Sequence, residues 1–332
     1  MGAVSIFIPH RGCPHQCSFC NQRTISGTSS APSPPEVSAL LRNALAKARD
    51  PAHTEIAFFG GSFTAIPRQE MLALLEAAEP FLGPDGFCGI RISTRPDAID
   101  REVLALLRLH HVTAIELGAQ SMEDRVLSAN RRGHTARDVV TASRLIREWG
   151  FSLGLQMMLG LYGDDAAGSR RTAEALAALE PETVRIYPTL VLGGTFLAEL
   201  YERGCYQPME LAEAVSLGAE LLLYFAGRSI RVIRMGLHAS RELERQLLAG
   251  PYHPAYRELC QSHIYLERAR EALSRLELPK GAPWRAELRA ASLSQLIGQH
   301  RANLLALSQE GWELSFQEDR SLPAYQVRAA GG

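Results

Sequence analysis

The sequence predicts an α/β fold built on a parallel sheet. Two observations predict it. Short apolar, β-branched runs recur along residues 4–190, with helix-length amphipathic segments between them. Hydrophobic residues make up 46% and charged residues 21% of the chain, enough apolar surface to bury a core and too much for wholesale disorder. The first strand is expected at residues 4–9 (VSIFIP). The helix after it, 35–49, has the clearest start signal: Ser33 as N-cap, Pro34 at the first helical position and Glu36 closing a capping box. Strands follow at 54–59 (TEIAFF), 89–93, 112–117, 152–159 and 183–190, alternating with helices at 68–81, 101–109, 136–149 and 169–179. Six such units in about 190 residues suit an incomplete barrel or a doubly wound sheet. In both, ligands gather at the carboxyl ends of the strands.

Beyond Gly194 the rhythm changes. Residues 210–226, 240–248, 256–275 and 293–307 have helical patterns, and 230–235 and 312–317 have strand patterns. The segment 250–255 (GPYHPA) is a rigid turn, and the tail 329–332 is expected to be disordered. The change of rhythm divides the chain into a core, 1–200, and a C-terminal α/β extension, 201–332.

With 332 residues, two domains are within range. No apolar run reaches the ~18 residues of a membrane span, and the N-terminus has no basic stretch ahead of its apolar residues, so the expected location is the cytoplasm, with no membrane partner. The net charge of −1 excludes a general polyanion binder. Residues 228–332 nevertheless hold 15 Arg and Lys against 11 Asp and Glu, and Arg228, Arg231 and Arg234 are expected to line one edge of the barrel mouth.

Six cysteines stand at 13, 17, 20, 88, 205 and 260. Three crowd into one loop directly after the first strand, in Gly12-Cys13-Pro14-His15-Gln16-Cys17-Ser18-Phe19-Cys20. A disulfide framework would spread its pairs, so this asymmetry favours metal chemistry in a reducing compartment. Three thiolates at this spacing can hold three corners of an iron–sulfur cube and leave the fourth iron open. A structural zinc site needs a fourth ligand; His15 is inside the loop, but no second ligand pair follows. At the end of the second strand stands Phe59-Gly60-Gly61-Ser62-Phe63-Thr64, where the two glycines let a ligand approach bare backbone. Gln120 and Gln156 are polar residues at apolar strand ends, where burial without a partner costs ~1–3 kcal/mol. Arg132 offers a planar fork for a carboxylate.

The CxxxCxxC loop after the first strand of a βα series resembles that of the radical S-adenosylmethionine (SAM) enzymes. The resemblance implies a partial (β/α)6 TIM-like radical SAM barrel with a C-terminal extension. It implies that Cys13, Cys17 and Cys20 hold a [4Fe–4S] cluster, with Phe19 as the aromatic residue before the third cysteine. SAM would bind the open iron and be cleaved to methionine and a 5′-deoxyadenosyl radical, after reduction by a one-electron donor such as flavodoxin or ferredoxin. Gly60, Gly61, Ser62 and Thr64 stand where the family binds the SAM amino group, although Ser62 and Phe63 replace its Glu and Pro. Further stretches narrow the resemblance: Ser93-Thr94-Arg95-Pro96-Asp97, Glu116 to Ser121, Asn130-Arg131-Arg132-Gly133-His134-Thr135 and Ile186-Tyr187-Pro188-Thr189-Leu190 look like the radical SAM core of the Elongator catalytic subunit family, which acts on wobble uridine in tRNA. On that likeness Gln120, Arg132 and Gln156 match SAM contacts, and Ser93 stands where closer relatives have Glu. Gly160-Leu161-Tyr162-Gly163 matches a pocket-lining turn.

The extension shows no glycine-rich pyrophosphate loop of an acetyltransferase and looks like that of shorter bacterial Elongator-like proteins, which carry a Gly-Pro-Tyr-His-Pro-type turn around His253. A tRNA nucleoside is the substrate this resemblance implies; a small molecule such as a tetrapyrrole is the alternative, and no residue is assigned to catalysis. An electron-transfer or other non-catalytic cluster protein would need neither an open iron nor the Gly-Gly edge. A zinc-stabilised nucleic-acid adaptor would need a fourth metal ligand.

Overall fold

The computed structural model describes residues 2–13, 16–26, 30–276 and 284–331. They form two compact units, one of residues 1–210 with 225–252 and one of 211–224 with 253–332.

The first unit is organised by a parallel sheet. Its strands are β1 (Gly2–Phe7), β2 (Thr54–Phe59), β3 (Ile90–Thr94), β4 (Val112–Gln120), β5 (Ser152–Leu159) and β6 (Thr183–Pro188). After a two-residue strand β7 (Val191–Leu192) comes β8 (Arg231–Met235), which pairs in parallel with β6. The order is therefore β1-β2-β3-β4-β5-β6-β8, seven strands curled into a partial barrel. Among the described residues no pairing closes β8 onto β1. The seventh strand was expected in the extension; it joins the sheet because the chain returns through a helix to the free edge of β6. A short strand β9 (Leu247–Ala249) pairs antiparallel with β7.

Helix positions follow from spacing and caps. The helix Arg101–Leu109 buries Val103, Leu104 and Leu107 on one stripe, and the Asp100 carboxylate accepts from Val103 N at 2.8 Å to start it. The Glu36 carboxylate accepts from both the amide and the hydroxyl of Ser33, each at 2.7 Å, and the helix runs Pro34–Lys47. Ala136–Glu148 starts on a capping box of Thr135 and Asp138. These starts lie after the carboxyl ends of strands, so each βα loop is fixed at both ends.

Strand polarity corrects one expectation. Arg231 is exposed at the amino end of β8, and Arg228 lies in the turn before it. Only Arg234 is near the carboxyl end, so the three arginines do not share an edge of the mouth.

The second unit packs the helix Tyr256–Leu273 and the short helices Leu293–Ile297 and Ala302–Gln309 on one face of a three-stranded sheet. That sheet has β10 (Trp284–Ala290) between β11 (Trp312–Glu318) and β12 (Val327–Gly331). Ala286, Leu288 and Ala290 of β10 alternate into the core with Tyr265, Leu273 and Leu307. Three sequence expectations change here. Strand β10 was not anticipated. The single helix expected at 293–307 is broken at Gly298, where φ is +76°, with His300 and Arg301 also left-handed. The expected disordered tail is instead an edge strand, with Ala329 in register with Leu288. Among the described residues, no helix is long and apolar enough to cross a membrane.

Candidate active site

The cysteine loop leaves β1 and is tied to three places along the carboxyl edge of the sheet. Ile8 N still donates to Phe59 O (2.8 Å), after which Arg11 N bonds Ile8 O (3.2 Å) and Cys13 N bonds His10 O (3.3 Å) in successive turns. Gly12 has φ +69°, and a Cβ there would collide with the Ser62 carbonyl. Glycine is thus required where the loop crosses β2's end, and Ser62 N donates to Arg11 O at 2.7 Å. The second tie is Asn130: Ser18 N donates to its carbonyl (3.1 Å) and Ser18 Oγ to its Oδ1 (2.6 Å), while its Nδ2 donates to Val126 O and Tyr162 O. The third is Leu197, whose N–H donates to Ser18 O at 2.8 Å. His10 Nε2 accepts from Gln22 N at 3.1 Å and closes the loop's exit.

This places Cys13, Cys17 and Cys20 in one electrostatic neighbourhood. Burial pushes the Cys20 thiol up to about 12, and thiolates at Cys17 and Cys13 would push it further. Burial and then Cys17 raise Cys13 as well, opposed by Arg95 and Arg132. Among the described residues, no three His, Cys, Asp or Glu side chains are gathered for a single metal ion. Phe19 packs with Tyr162 and Phe196 against Leu197 and Tyr206. The zinc alternative's His15 lies outside the described residues.

At the β2 edge the glycines serve the protein's own backbone. A Cβ at Gly61 would collide with the Arg11 carbonyl and come within 2.6 Å of the Ile8 carbonyl, and Gly60 has φ +101°. The sequence reading gave this bare backbone to a ligand; the structure fills the space beside Gly61 with the cysteine loop. Ser62 and Thr64 belong to one chain of hydroxyls. Thr64 Oγ1 donates to Ala98 O (2.6 Å), so it must accept from Thr94 Oγ1 (2.7 Å). Thr94 in turn accepts from Ser62 Oγ (3.1 Å), which accepts from Arg95 N (3.0 Å). Every proton in the chain is thereby assigned, and the ends of β2 and β3 are locked together.

Gln120 and Arg132 converge over Gly118. A Cβ at Gly118 would lie 2.9 Å from Gln120 Nε2 and 3.4 Å from Arg132 Nη2. Gln120 has φ +67°, at the slip in register between β4 and β5, and its Oε1 is buried without a partner. Such a conformation in a non-glycine residue costs of order 1–3 kcal/mol. Arg132 Nη1 donates to Cys17 Sγ (3.0 Å) and Nη2 to Gly118 O (2.6 Å), while its buried Nε has no partner. His134 Nε2 lies 3.3 Å from the Ala119 carbonyl, which can only accept, so Nε2 carries the proton. Burial, with Arg132 beside it, holds His134 down to about 4, and the imidazole is neutral. Further along the sheet, Gln156 Nε2 donates to Ser93 Oγ (3.2 Å) and to Glu116 Oε2 (3.0 Å).

Sequence reasoning missed the charges beneath this surface. Arg91 forms a bidentate pair with Glu55 (2.8 and 3.1 Å) and reaches Glu116 (3.3 Å). Arg185 Nη2 donates to Glu116 Oε1 (2.9 Å), and its guanidinium stands 4.8 Å over the Phe59 ring. Glu116 is 1% exposed and joins β3, β5 and β6 inside the barrel. A signal was available: each of these residues is a lone charge in the middle of an apolar strand, where it must be paired or costs several kcal/mol. Arg95 was also unassigned. It pairs bidentately with Asp97 and donates to the Arg132 carbonyl at 3.1 Å.

Comparison with known proteins agrees with this architecture. Residues 7–176 match the family model of the radical SAM superfamily, and residues 181–268 match its C-terminal domain. An uncharacterised protein of Methanocaldococcus jannaschii is 30% identical over 224 residues, 64% of this chain and 68% of that one. The tRNA uridine(34) acetyltransferase of the same organism is 33% identical over 130 residues, 38% of this chain and only 24% of that protein's length. Among solved structures, N-terminally truncated Elp3 of Methanocaldococcus infernus superposes with a TM-score of 0.62 at 19% identity, covering 81% of this chain and 63% of that one, a likeness of fold. A family model spanning more than half of the chain, over the same strands that carry the cysteine loop, makes this protein a member of the radical SAM superfamily, an enzyme whose cofactors are a [4Fe–4S] cluster and S-adenosylmethionine.

Proposed function

We propose that this enzyme cleaves SAM reductively and uses the resulting radical to modify a nucleoside of tRNA. The observation that carries the reading is the junction of the cysteine loop with the Gly118, Gln120 and Arg132 cradle at the carboxyl edge of the sheet. The donor set fits the cluster: three thiols on one loop, with no fourth protein ligand close in sequence. The cradle fits an amino-acid or ribose group, because the buried Oε1 of Gln120 and the buried Nε of Arg132 are both unpartnered. The tRNA part rests on sequence likeness to the tRNA uridine(34) acetyltransferase, of which this chain spans about a quarter.

In this reading Cys13, Cys17 and Cys20 hold three irons and leave the fourth open. When bound, the cluster and SAM supply one-electron reduction and hydrogen abstraction. The chain's own residues position the reactants. Gln120 Oε1 accepts from a ribose hydroxyl, Arg132 presents its remaining N–H, and Ser93 with Gln156 line the barrel interior beside them. Phe19 walls the pocket on the loop side. Ser62 and Thr64 keep the Gly60–Gly61 edge in place through their hydroxyl chain. Residues 1–200 act as the catalytic core and 201–332 as an extension bearing on substrate choice. The electron comes from a flavodoxin- or ferredoxin-type donor, and the enzyme works in the cytoplasm.

The test is anaerobic reconstitution followed by a SAM assay. The protein should take up about four irons and four sulfides, and Cys13→Ala, Cys17→Ala or Cys20→Ala should each abolish this while Cys88→Ala does not. With dithionite it should release 5′-deoxyadenosine, faster when tRNA is added. Release that responds to small metabolites and not to RNA would redirect the reading to a small-molecule substrate.

A further inference from the structure

Arg132 was expected to fork a SAM carboxylate, yet two of its three guanidinium nitrogens are already engaged. Nη1 donates to Cys17 Sγ at 3.0 Å and Nη2 to the Gly118 carbonyl at 2.6 Å. The guanidinium therefore bridges the middle cysteine of the loop to the backbone of β4. Its own backbone is held too, since Arg95 Nη2 donates to Arg132 O and the Asp97 carboxylate pins Arg95 at 2.8 and 2.9 Å. Arg132 is 8% exposed, so water does little to screen its charge. The neighbouring Arg131 differs in every respect: it is exposed and its guanidinium lies 3.5 Å over the Phe196 ring.

We infer that Arg132 is a positioning residue for the cluster, fixing Cys17 against β4 and raising the reduction potential of the cluster that Cys17 ligates. The inference rests on the proposed ligand set Cys13, Cys17 and Cys20. A guanidinium stays charged at any pH the protein meets and can only donate, and a ligating thiolate can only accept. On reduction, one electron passes from a low-potential donor to the cluster, whose charge becomes more negative by one unit. No bond breaks and no proton moves. A fixed cation at hydrogen-bond distance from a ligating sulfur favours the more negative state, and hydrogen bonds to sulfur are among the controls on cluster potential. Arg132 thereby eases the first electron into the site independently of any SAM it also touches.

The test is a redox titration of the reconstituted full-length protein without SAM, followed by electron paramagnetic resonance of the reduced cluster. Leaving SAM out removes any contribution from a carboxylate contact. Arg132→Gln keeps an amide donor but removes the charge, Arg132→Lys keeps the charge, and Arg131→Gln removes an equal charge that does not reach Cys17. The expected result is a reduction equilibrium about tenfold less favourable in Arg132→Gln, 59 mV for one electron, with Arg132→Lys displaced less and Arg131→Gln not at all. Loss of the cluster in Arg132→Gln with native iron content and potential in Arg132→Lys also supports the role, because the charge is then what Cys17 requires. A full cluster at native potential in Arg132→Gln overturns it, as does an equal displacement in Arg131→Gln. If the parent chain itself takes up no iron and sulfide, the proposed ligand set fails as well, and that outcome is read from the iron assay before any variant is compared.

Discussion

Gly118 and His134 show how far single atoms control this site. Gly118 leaves open the space over which the Gln120 amide and the Arg132 guanidinium meet. A methyl group there lies 2.9 Å from the flexible end of Gln120, which can shift, so the fold survives. Gly118→Ala should keep its iron and lose SAM affinity by about tenfold, the scale of one hydrogen bond at ~1–1.5 kcal/mol; equilibrium dialysis beside an iron assay checks this. His134 ties the Ala119 carbonyl next to the left-handed Gln120. Its folded value is depressed to about 4 from 6.5. The unfolded chain therefore takes up a proton first, and the stability His134 contributes is present above pH 6.5 and lost as pH falls toward 4. His134→Gln should be less stable than the parent at pH 7.5, with a shallower fall in Tm between pH 6.5 and 4. Parallel Tm curves for the two proteins would remove this histidine from the acid transition.

Among the elements, the strand ends do most to place the chemistry. β1, β2, β3 and β4 each finish in a segment that holds the next: the cysteine loop lies on Gly61, Ser62 bonds Thr94 and Arg95, and Arg95 holds the loop carrying Arg132. The charge network of Glu55, Arg91, Glu116 and Arg185 locks the registers beneath. In the second unit, β12 covers one edge of β10 over Ala286–Ala290. Truncation after Gln326 removes that ladder and leaves a central strand with a bare edge. Amide exchange of residues 286–290 should accelerate by at least tenfold, and the truncated chain should aggregate at lower temperature; unchanged protection would show that β12 adds nothing to the sheet.

On the scale of the whole molecule, near-neutral charge limits what RNA binding can rest on. The net charge is −1, and the basic excess lies in the last third of the sequence. Each phosphate neutralised adds about −0.9 to the slope of log affinity against log salt. Filter binding of tRNA should therefore weaken by more than about tenfold between 50 and 200 mM salt, which corresponds to at least two phosphate contacts. Arg231→Glu should leave tRNA-stimulated release of 5′-deoxyadenosine unchanged, because Arg231 is exposed at the amino end of β8, away from the strand ends that carry the cysteine loop. A strong loss in that variant would place the RNA on the other end of the barrel.

The sequence by itself determined the βα series, most strand and helix positions of the first unit, the cysteine loop and the family. Those features are local: apolar periodicity, capping residues and a three-thiol spacing act within a few residues of one another. It also placed Gln120 and Arg132 correctly at strand and loop ends. Only the tertiary structure decided what these residues touch. Arg132 reaches Cys17 across 115 positions of sequence, and Ser18 reaches Asn130 across 112. Gly61 is glycine because a distant loop passes over it, and Glu116 is buried because two arginines from β3 and β6 neutralise it. The strands β10 and β12 were illegible for the same reason. Their ladder joins residues some forty positions apart, and neither strand has the long apolar run of a buried parallel strand.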